Sequence, residues 1–332
     1  MLRTRICDLF GIELPIVSAG MGGVALARLA AAVSEAGGLG TIALAGLSAE
    51  AIHDEIAEAR QITGKPLAVN LLIPFLREGT LEALAREPIE AVTFFWGEPE
   101  QHVARAKRLG LRVIWQCGSA DEARRAVHAG ADCVIAQGFE AGGHVRGVVT
   151  TAVLVPEVRD AIGDTPLLAA GGLADGRGLA AALALGADGA AFGTRFLAAE
   201  ECAAHPEYKR RLLAAHASET IHTTLYDVGW PEAAHRVLRT ALVEGWERAG
   251  RPPSGSRPGE GERRARLKRA DGDIPLVNYA VSPPNESTEG DLSGLAFYAG
   301  QSVSMVHEIL PAGEIVRRIA DEAVRAIARL PR

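Results

Sequence analysis

Eight short apolar runs, alternating with amphipathic Ala-rich stretches between residues 15 and 199, predict an α/β fold built as a closed (β/α)8 barrel. The runs are almost uninterrupted by polar residues, as strands covered on both faces must be. Eight units within fewer than 200 residues also favour closure over an open doubly wound sheet.

In order, the runs are "PIVSAG" (15–20), "LGTIAL" (39–44), "PLAVNLL" (66–72), "AVTFFW" (91–96), "RVIWQCG" (112–118), "DCVIAQG" (132–138), "PLLAAGG" (166–172) and "GAAFGT" (189–194). Between them, 24–37, 48–63, 98–109, 120–130 and 176–186 carry helical periodicity. The alternation stops after residue 200. Helical patterning at 207–217 and 231–249 precedes "RPPSGSRPGEGE" and "VSPPNESTEGD", which read as loops. A last amphipathic helix spans 312–330, with Ile315, Ile319, Val324 and Ile327 on its apolar positions. Residues 1–200 plus 301–332 are therefore expected to form the barrel. Residues 201–300 are expected to form a smaller, mostly helical substrate or lid subdomain.

Composition narrows the function. Hydrophobic residues make up 48% of the 332, enough for a large core, while only 5% are aromatic. The formal net charge of −6 offers no global attraction to nucleic acid or membrane. The one basic run, "RRARLKR" at 263–269, lies among mixed charges and reads as a solvated face. Four scattered cysteines (Cys7, Cys117, Cys133, Cys202) suggest reduced thiols rather than disulfides or zinc ligands. The N-terminus has no long apolar stretch, and no run approaches 18 apolar residues, so a soluble cytoplasmic protein is expected.

Chemistry in a parallel barrel gathers at the C-terminal strand ends. None of the four lysines (Lys65, Lys107, Lys209, Lys268) falls there, which disfavours Schiff-base chemistry. No H-x-H and no acidic cluster appears at the same ends, so no metal site is expected. What remains is neutral amides, glycines and one histidine. Gly171-Gly172 and Gly193-Thr194 follow the seventh and eighth runs, where barrels of this kind bind phosphate through backbone N–H groups. Asn70, Gln116 and Gln137 can meet the polar edge of a planar ring without adding charge. "GMGG", with Met21 and Gly22, would let backbone approach that ring closely. A phosphate cradle beside neutral amides fits FMN and equally fits a purine mononucleotide.

With "PIVSAGMGGVA" (15–25), "AVNLL" (68–72), "AQGFEAGGHVRG" (136–147), "LLAAGGLADGRGLAAALALGADGAAFGTRFLAAEE" (167–201) and "YAGQSV" (298–303), the chain resembles the FMN-dependent nitronate monooxygenases. These were formerly called 2-nitropropane dioxygenases, and the FMN-dependent enoyl-acyl-carrier-protein reductases are similar too. The resemblance implies an FMN-binding barrel. It sets Met21, Gly22, Asn70 and Gln116 near the flavin ring, and Gly142 and Gly143 along it. Gly171, Gly172, Gly193 and Thr194 would hold the phosphate. His144 matches the family's catalytic histidine, and Gln301 matches a glutamine reaching back to the cofactor.

An unperturbed histidine titrates near ~6.5, so His144 could act as a base towards a nitroalkane or as a cation towards a nitronate. The leading expectation is oxidation of alkyl nitronates with O2 as oxidant. The alternative is an NAD(P)H-dependent FMN reductase acting on enoyl thioesters or quinones. A flavin-free phosphate-binding barrel is the third. An oligomer is left open.

Overall fold

The computed structural model describes residues 2–269 and 272–329. The ends of the expected final helix and of the second barrel segment, at 330–332, lie outside the described residues.

The barrel strands are β1 (Ile16–Ser18), β2 (Gly40–Ala43), β3 (Leu67–Leu72), β4 (Ala91–Phe95), β5 (Val113–Cys117), β6 (Cys133–Gln137), β8 (Leu167–Ala170) and β9 (Gly189–Phe192). A two-residue strand, β7 (Gly143–His144), lies between β6 and β8 in the chain and outside the barrel. All eight barrel strands pair in parallel in the order β1-β9-β8-β6-β5-β4-β3-β2. A parallel bridge from Val17 to Leu39 brings β1 to β2 and closes the ring.

Residues two apart share a face of a strand. The barrel's inner face carries Val17, Ala68, Ala91, Ile114, Cys133, Ile135, Leu168 and Ala191, all buried. Helix α1 (Arg5–Phe10) plugs its N-terminal end, with Ile6, Cys7 and Phe10 packed into that cluster. The outer face packs against α2 (Ala27–Glu35), α3 (Ala49–Ile62), α4 (Thr80–Leu84), α5 (Pro99–Arg108), α6 (Ala120–His128), α7 (Thr151–Ile162) and α8 (Gly176–Ala184). Ser48, Ser119 and Asp175 cap α3, α6 and α8 by accepting backbone N–H groups. Small residues set how close the layers come: a Cβ on Gly40 would stand 1.8 Å from the Ala30 carbonyl oxygen of α2.

Helix α9 (Thr194–Leu197) is a single turn after β9. The segment 201–300 departs from the mostly helical expectation. It holds α10 (Pro206–Ala214) and α11 (Ala241–Arg248), but also β10 (Thr220–Thr223), β11 (His235–Leu238), β12 (Arg263–Leu267), β13 (Ile274–Val277) and β14 (Thr288–Gly290). The expected helix at 231–249 is a strand followed by a helix. "HRVL" is buried at all four positions between two partner strands, and Thr240 starts α11 by capping Val243 N–H. The strands form two antiparallel sheets, β10-β11-β7 and β13-β12-β14.

Helix α12 (Ala312–Ala328) returns to the barrel against α8, where a Cβ on Gly176 would stand 2.2 Å from the Ala323 nitrogen. Ile315, Val316, Ile319, Ala320 and Ala323 are buried there. Val324 and Ile327, expected on the apolar face, are exposed instead, because the buried stripe turns through Ala320 and Ala323.

Among the described residues, no helix is long and apolar enough to cross a membrane. All four cysteines are buried and free.

Candidate active site

A cavity of about 570 Å³ opens at the C-terminal end of the barrel. Strand parity builds its floor. Asn70, Thr93, Gln116 and Gln137 lie on the same inward face as Ala68, Ala91, Ile114 and Ile135, one step nearer the C-terminal end, and all four line the cavity. The three amides singled out in the sequence are thus brought together.

Met21, Gly22, Gly142, Gly143, Gly171, Gly172, Gly193 and Thr194 also line it, and so does His144. The glycines divide by what their missing side chains accommodate. A Cβ on Gly22 would meet nothing within 4 Å, and one on Gly193 only Ala19 Cβ at 3.7 Å and Met21 Sδ at 3.9 Å. Neither has a positive φ, so protein packing does not require glycine at either position. The space they leave belongs to the cavity. Gly142 differs: its Cβ would stand 2.3 Å from the Gly300 nitrogen, so the chain's own backbone demands glycine. Gly171 (φ +98°) and Gly172 (φ +73°) turn the chain sharply after β8. Thr194 Oγ1 accepts from Gly300 N–H at 3.0 Å, which leaves its proton free to donate.

Gln301 stands apart. Its backbone N–H donates to the Glu140 carbonyl at 2.9 Å, and its exposed side chain is not part of the cavity wall. The wall position in that short helical turn belongs to Ser302.

His144 is held by a ladder. β7 pairs antiparallel with β11, His144 opposite His235, and Val145 N–H donates to the Ala234 carbonyl at 2.9 Å. From the barrel side, Gln137 Nε2 donates to the His144 carbonyl at 3.0 Å, while Gln137 Oε1 has no protein partner. The imidazole is boxed by aromatic rings. Trp230 stacks on it at 4.0 Å between centroids, and His235, Tyr298 and Trp96 follow at 5.3, 5.5 and 5.8 Å. Its Nε2 is enclosed without a hydrogen-bond partner.

Burial, with a smaller contribution from His235, pushes the His144 pKa down to about 3. His235 is pushed down to about 4, also chiefly by burial. Its Nε2 accepts from Tyr226 N–H at 3.3 Å, so its Nδ1 carries the proton donated to the Ala233 carbonyl at 2.7 Å. Both rings are therefore neutral at neutral pH. Of the two roles expected for His144, base and cation, the neutral ring favours the first.

Trp96 and Trp230 were not among the residues singled out from sequence. Trp96 ends the fourth apolar run and holds φ +69°, a left-handed conformation that is rare outside glycine. A bulky residue at a strand end was the available signal. Trp230 and His235 carry no such mark, because only the pairing of β11 with β7 brings them to His144. Arg146 also gains a place. Its Nη1 donates to the Gly97 carbonyl at 2.6 Å and to Glu122 Oε1 at 3.1 Å, and its Nη2 to Glu98 Oε1 at 3.1 Å, tying the histidine loop to the turn after Trp96.

The family model described as nitronate monooxygenase matches residues 3–79 and 76–322, which include the whole cavity wall. A (3aS,4S,5R,7aS)-5-hydroxy-7a-methyl-1-oxo-octahydro-1H-indene-4-carboxyl-CoA dehydrogenase of Mycobacterium tuberculosis is 44% identical over 75% of this chain and 70% of that protein. A nitronate monooxygenase of Pseudomonas aeruginosa is 33% identical over 97% and 99% of the two chains. FabK from Thermotoga maritima superposes with a TM-score of 0.80 at 36% identity, covering 99% of this chain and 98% of that one. Barrel, cavity wall and sequence thus agree over the whole length, and this oxidoreductase belongs to the nitronate monooxygenase family.

Proposed function

We propose that the barrel mouth holds FMN and that the enzyme oxidises alkyl nitronates, including those formed by deprotonating nitroalkanes, with O2 as final oxidant. FMN, when bound, supplies the electron acceptor for the substrate and passes the electrons on to O2. The fit rests on the cavity wall: Gly22 and Gly193 leave room that the fold does not use, and Gln137 Oε1 is a buried acceptor without a partner. Asn70 and Gln116 would face the ring. Gly171, Gly172, Gly193 and Thr194 would hold the phosphate, Thr194 donating its free hydroxyl proton. Residues 201–300 would cover the substrate side.

The observation that carries the reading is a neutral His144 in the cavity wall whose buried ring Nε2 has no hydrogen-bond partner in the protein. A neutral imidazole is ready to take a carbon-bound proton when a nitroalkane arrives. With its pKa near 3 in the free protein it is a weak base. The nitronate anion that the transfer leaves alongside favours the protonated ring. The aromatic box excludes water from the ring and fixes its direction.

The test is an anaerobic visible spectrum of the FMN-loaded protein before and after an alkyl nitronate is added. Bleaching of the flavin band is expected. A band that stays oxidised with nitronate yet bleaches with NAD(P)H would replace this reading with the reductase one. Lys268 and Arg269 in the cavity wall favour that second reading, with an enoyl thioester as acceptor, because they suit a phosphate-bearing substrate better than a small nitroalkane.

A further inference from the structure

The basic run 263–269 does not end as a solvated face. Its first five residues form β12, the central strand of its sheet, and its last three, Leu267, Lys268 and Arg269, enter the wall of the cavity. Lys268 N–H donates to the Ser287 carbonyl at 2.9 Å, which holds this end of the run against the loop before β14. Among the described residues, the wall carries only three formally charged side chains: Glu55, Lys268 and Arg269. Glu55 is already engaged, accepting Ala27 N–H at 3.1 Å, and burial raises its pKa.

Among the described residues, the two cations are incompletely neutralised. Glu289 serves both Arg266 (2.9 Å) and Lys268 (2.6 Å), Arg266 also meets Asp273 at 3.2 Å, and Arg269 has no ion pair among the described residues. Among the described residues, these three cations therefore share two carboxylate partners. Both Lys268 and Arg269 are exposed, so they form the solvent rim of the cavity, whereas His144 lies in its enclosed aromatic part. The deep wall between offers neutral amides, glycines and apolar groups.

A ligand complementary to both parts carries a compact anion at the rim and a neutral reactive group inside. We propose that Lys268 and Arg269 bind the diphosphate of an adenine-nucleotide-tailed ligand, whose reactive end reaches inward towards His144. Two carriers share this chemistry, a coenzyme A thioester and a nicotinamide dinucleotide. Lysine supplies a mobile point charge and arginine a planar fork, a pairing suited to phosphate oxygens. The proposal rests on the cavity being the oxidoreductase site. It does not rest on nitronate being the substrate, since nucleotide binding is measured without turnover.

The experiment is calorimetric titration of the flavin-loaded protein with coenzyme A, with oxidised NAD and NADP, and with pantetheine, which has the coenzyme A arm but no diphosphate. The wild type is compared with Lys268→Ser/Arg269→Ser and with Arg269→Ser alone, which leaves the Lys268–Glu289 pair in place. At least one nucleotide is expected to bind, and pantetheine is not. The double variant should weaken binding about tenfold and the single variant about threefold, with flavin content unchanged. Raising salt from about 50 to about 300 mM should weaken the wild type far more than the double variant. Binding of coenzyme A alone assigns the rim to a thioester substrate, and of the dinucleotides alone to a reductant. Failure of every nucleotide to bind would overturn the proposal, as would equal affinity in wild type and variants. Loss of flavin from Arg269→Ser would overturn it too, by assigning the rim to the cofactor's own phosphate.

Discussion

Replacing Arg146 with Met tests how the histidine loop is held. The change keeps the apolar stem and removes three donated hydrogen bonds, to Gly97, Glu122 and Glu98. Glu122 matters most, because its side chain is only 9% exposed and also accepts from Gly118 N–H at 3.0 Å and Trp115 Nε1 at 3.2 Å. Breaking a fully buried pair costs about 3–5 kcal/mol. Arg146 itself is 32% exposed, so solvent screening reduces the expected cost to about 2 kcal/mol. Unfolding entropy of about 2 cal/mol/K per residue then gives a drop in Tm of about 3 °C for a chain of this length.

The pH dependence identifies the cause. Burial raises the Glu122 pKa, and Arg146 opposes that rise. A carboxyl whose folded pKa lies above its unfolded value costs the fold stability when ionised, and the cost disappears once pH falls below the unfolded value. Arg146→Met raises the folded pKa further, so its penalty should be largest near pH 8 and shrink towards about pH 4.5. Melting curves of both proteins at the two pH values provide the measurement. An equal drop in Tm at both would show that Glu122 is not what Arg146 neutralises.

His144→Ala should retain flavin yet lose most turnover on a neutral nitroalkane, and full activity would remove the histidine from the chemistry. Gly22→Val places a side chain where no protein atom lies within 4 Å, so stability should change by less than about 0.5 kcal/mol while flavin occupancy falls. Undiminished occupancy would show that the space beside Gly22 is not used by the cofactor. His144 and His235, with folded pKa values of about 3 and about 4, bind fewer protons folded than unfolded below about pH 6.5. Acidification from that pH towards 4 should therefore destabilise the wild type progressively, and His144→Gln should be the less acid-sensitive protein; equal slopes of Tm against pH would refute this.

The barrel was legible because its signals are local. Each strand is a short apolar run, and the period of two put Asn70, Gln116 and Gln137 on the inward face once their strands were aligned. The segment 201–300 was legible only in part. "HRVL" is too short to separate strand from helix by periodicity; it pairs along its whole length with Thr220–Thr223 and also with Gly143–His144, some ninety residues earlier. Trp230 was hidden for the same reason. Gln301 shows the opposite failure: a motif resemblance implied a reach into the cavity, while the backbone turn that begins at Gln301 presents Ser302 there instead.

The proton state of His144 follows from this long-range assembly. A histidine in a glycine-rich loop would ordinarily be solvated and titrate near ~6.5. Here β11 turns that loop into the edge of a sheet, and Trp230 covers the ring at 4.0 Å while the already satisfied His235 lies beside it. Neither neighbour supplies a negative charge, so nothing offsets the loss of water and the ring stays neutral. Loosening this cover should therefore affect the imidazole before it affects the barrel. Trp230→Ala removes the stacked face and admits water, which should raise the His144 pKa towards its solution value and leave the floor amides in place. The measurement is the imidazole titration followed by NMR in Trp230→Ala against wild type. An unchanged pKa in the variant would show that the indole is not what keeps His144 neutral.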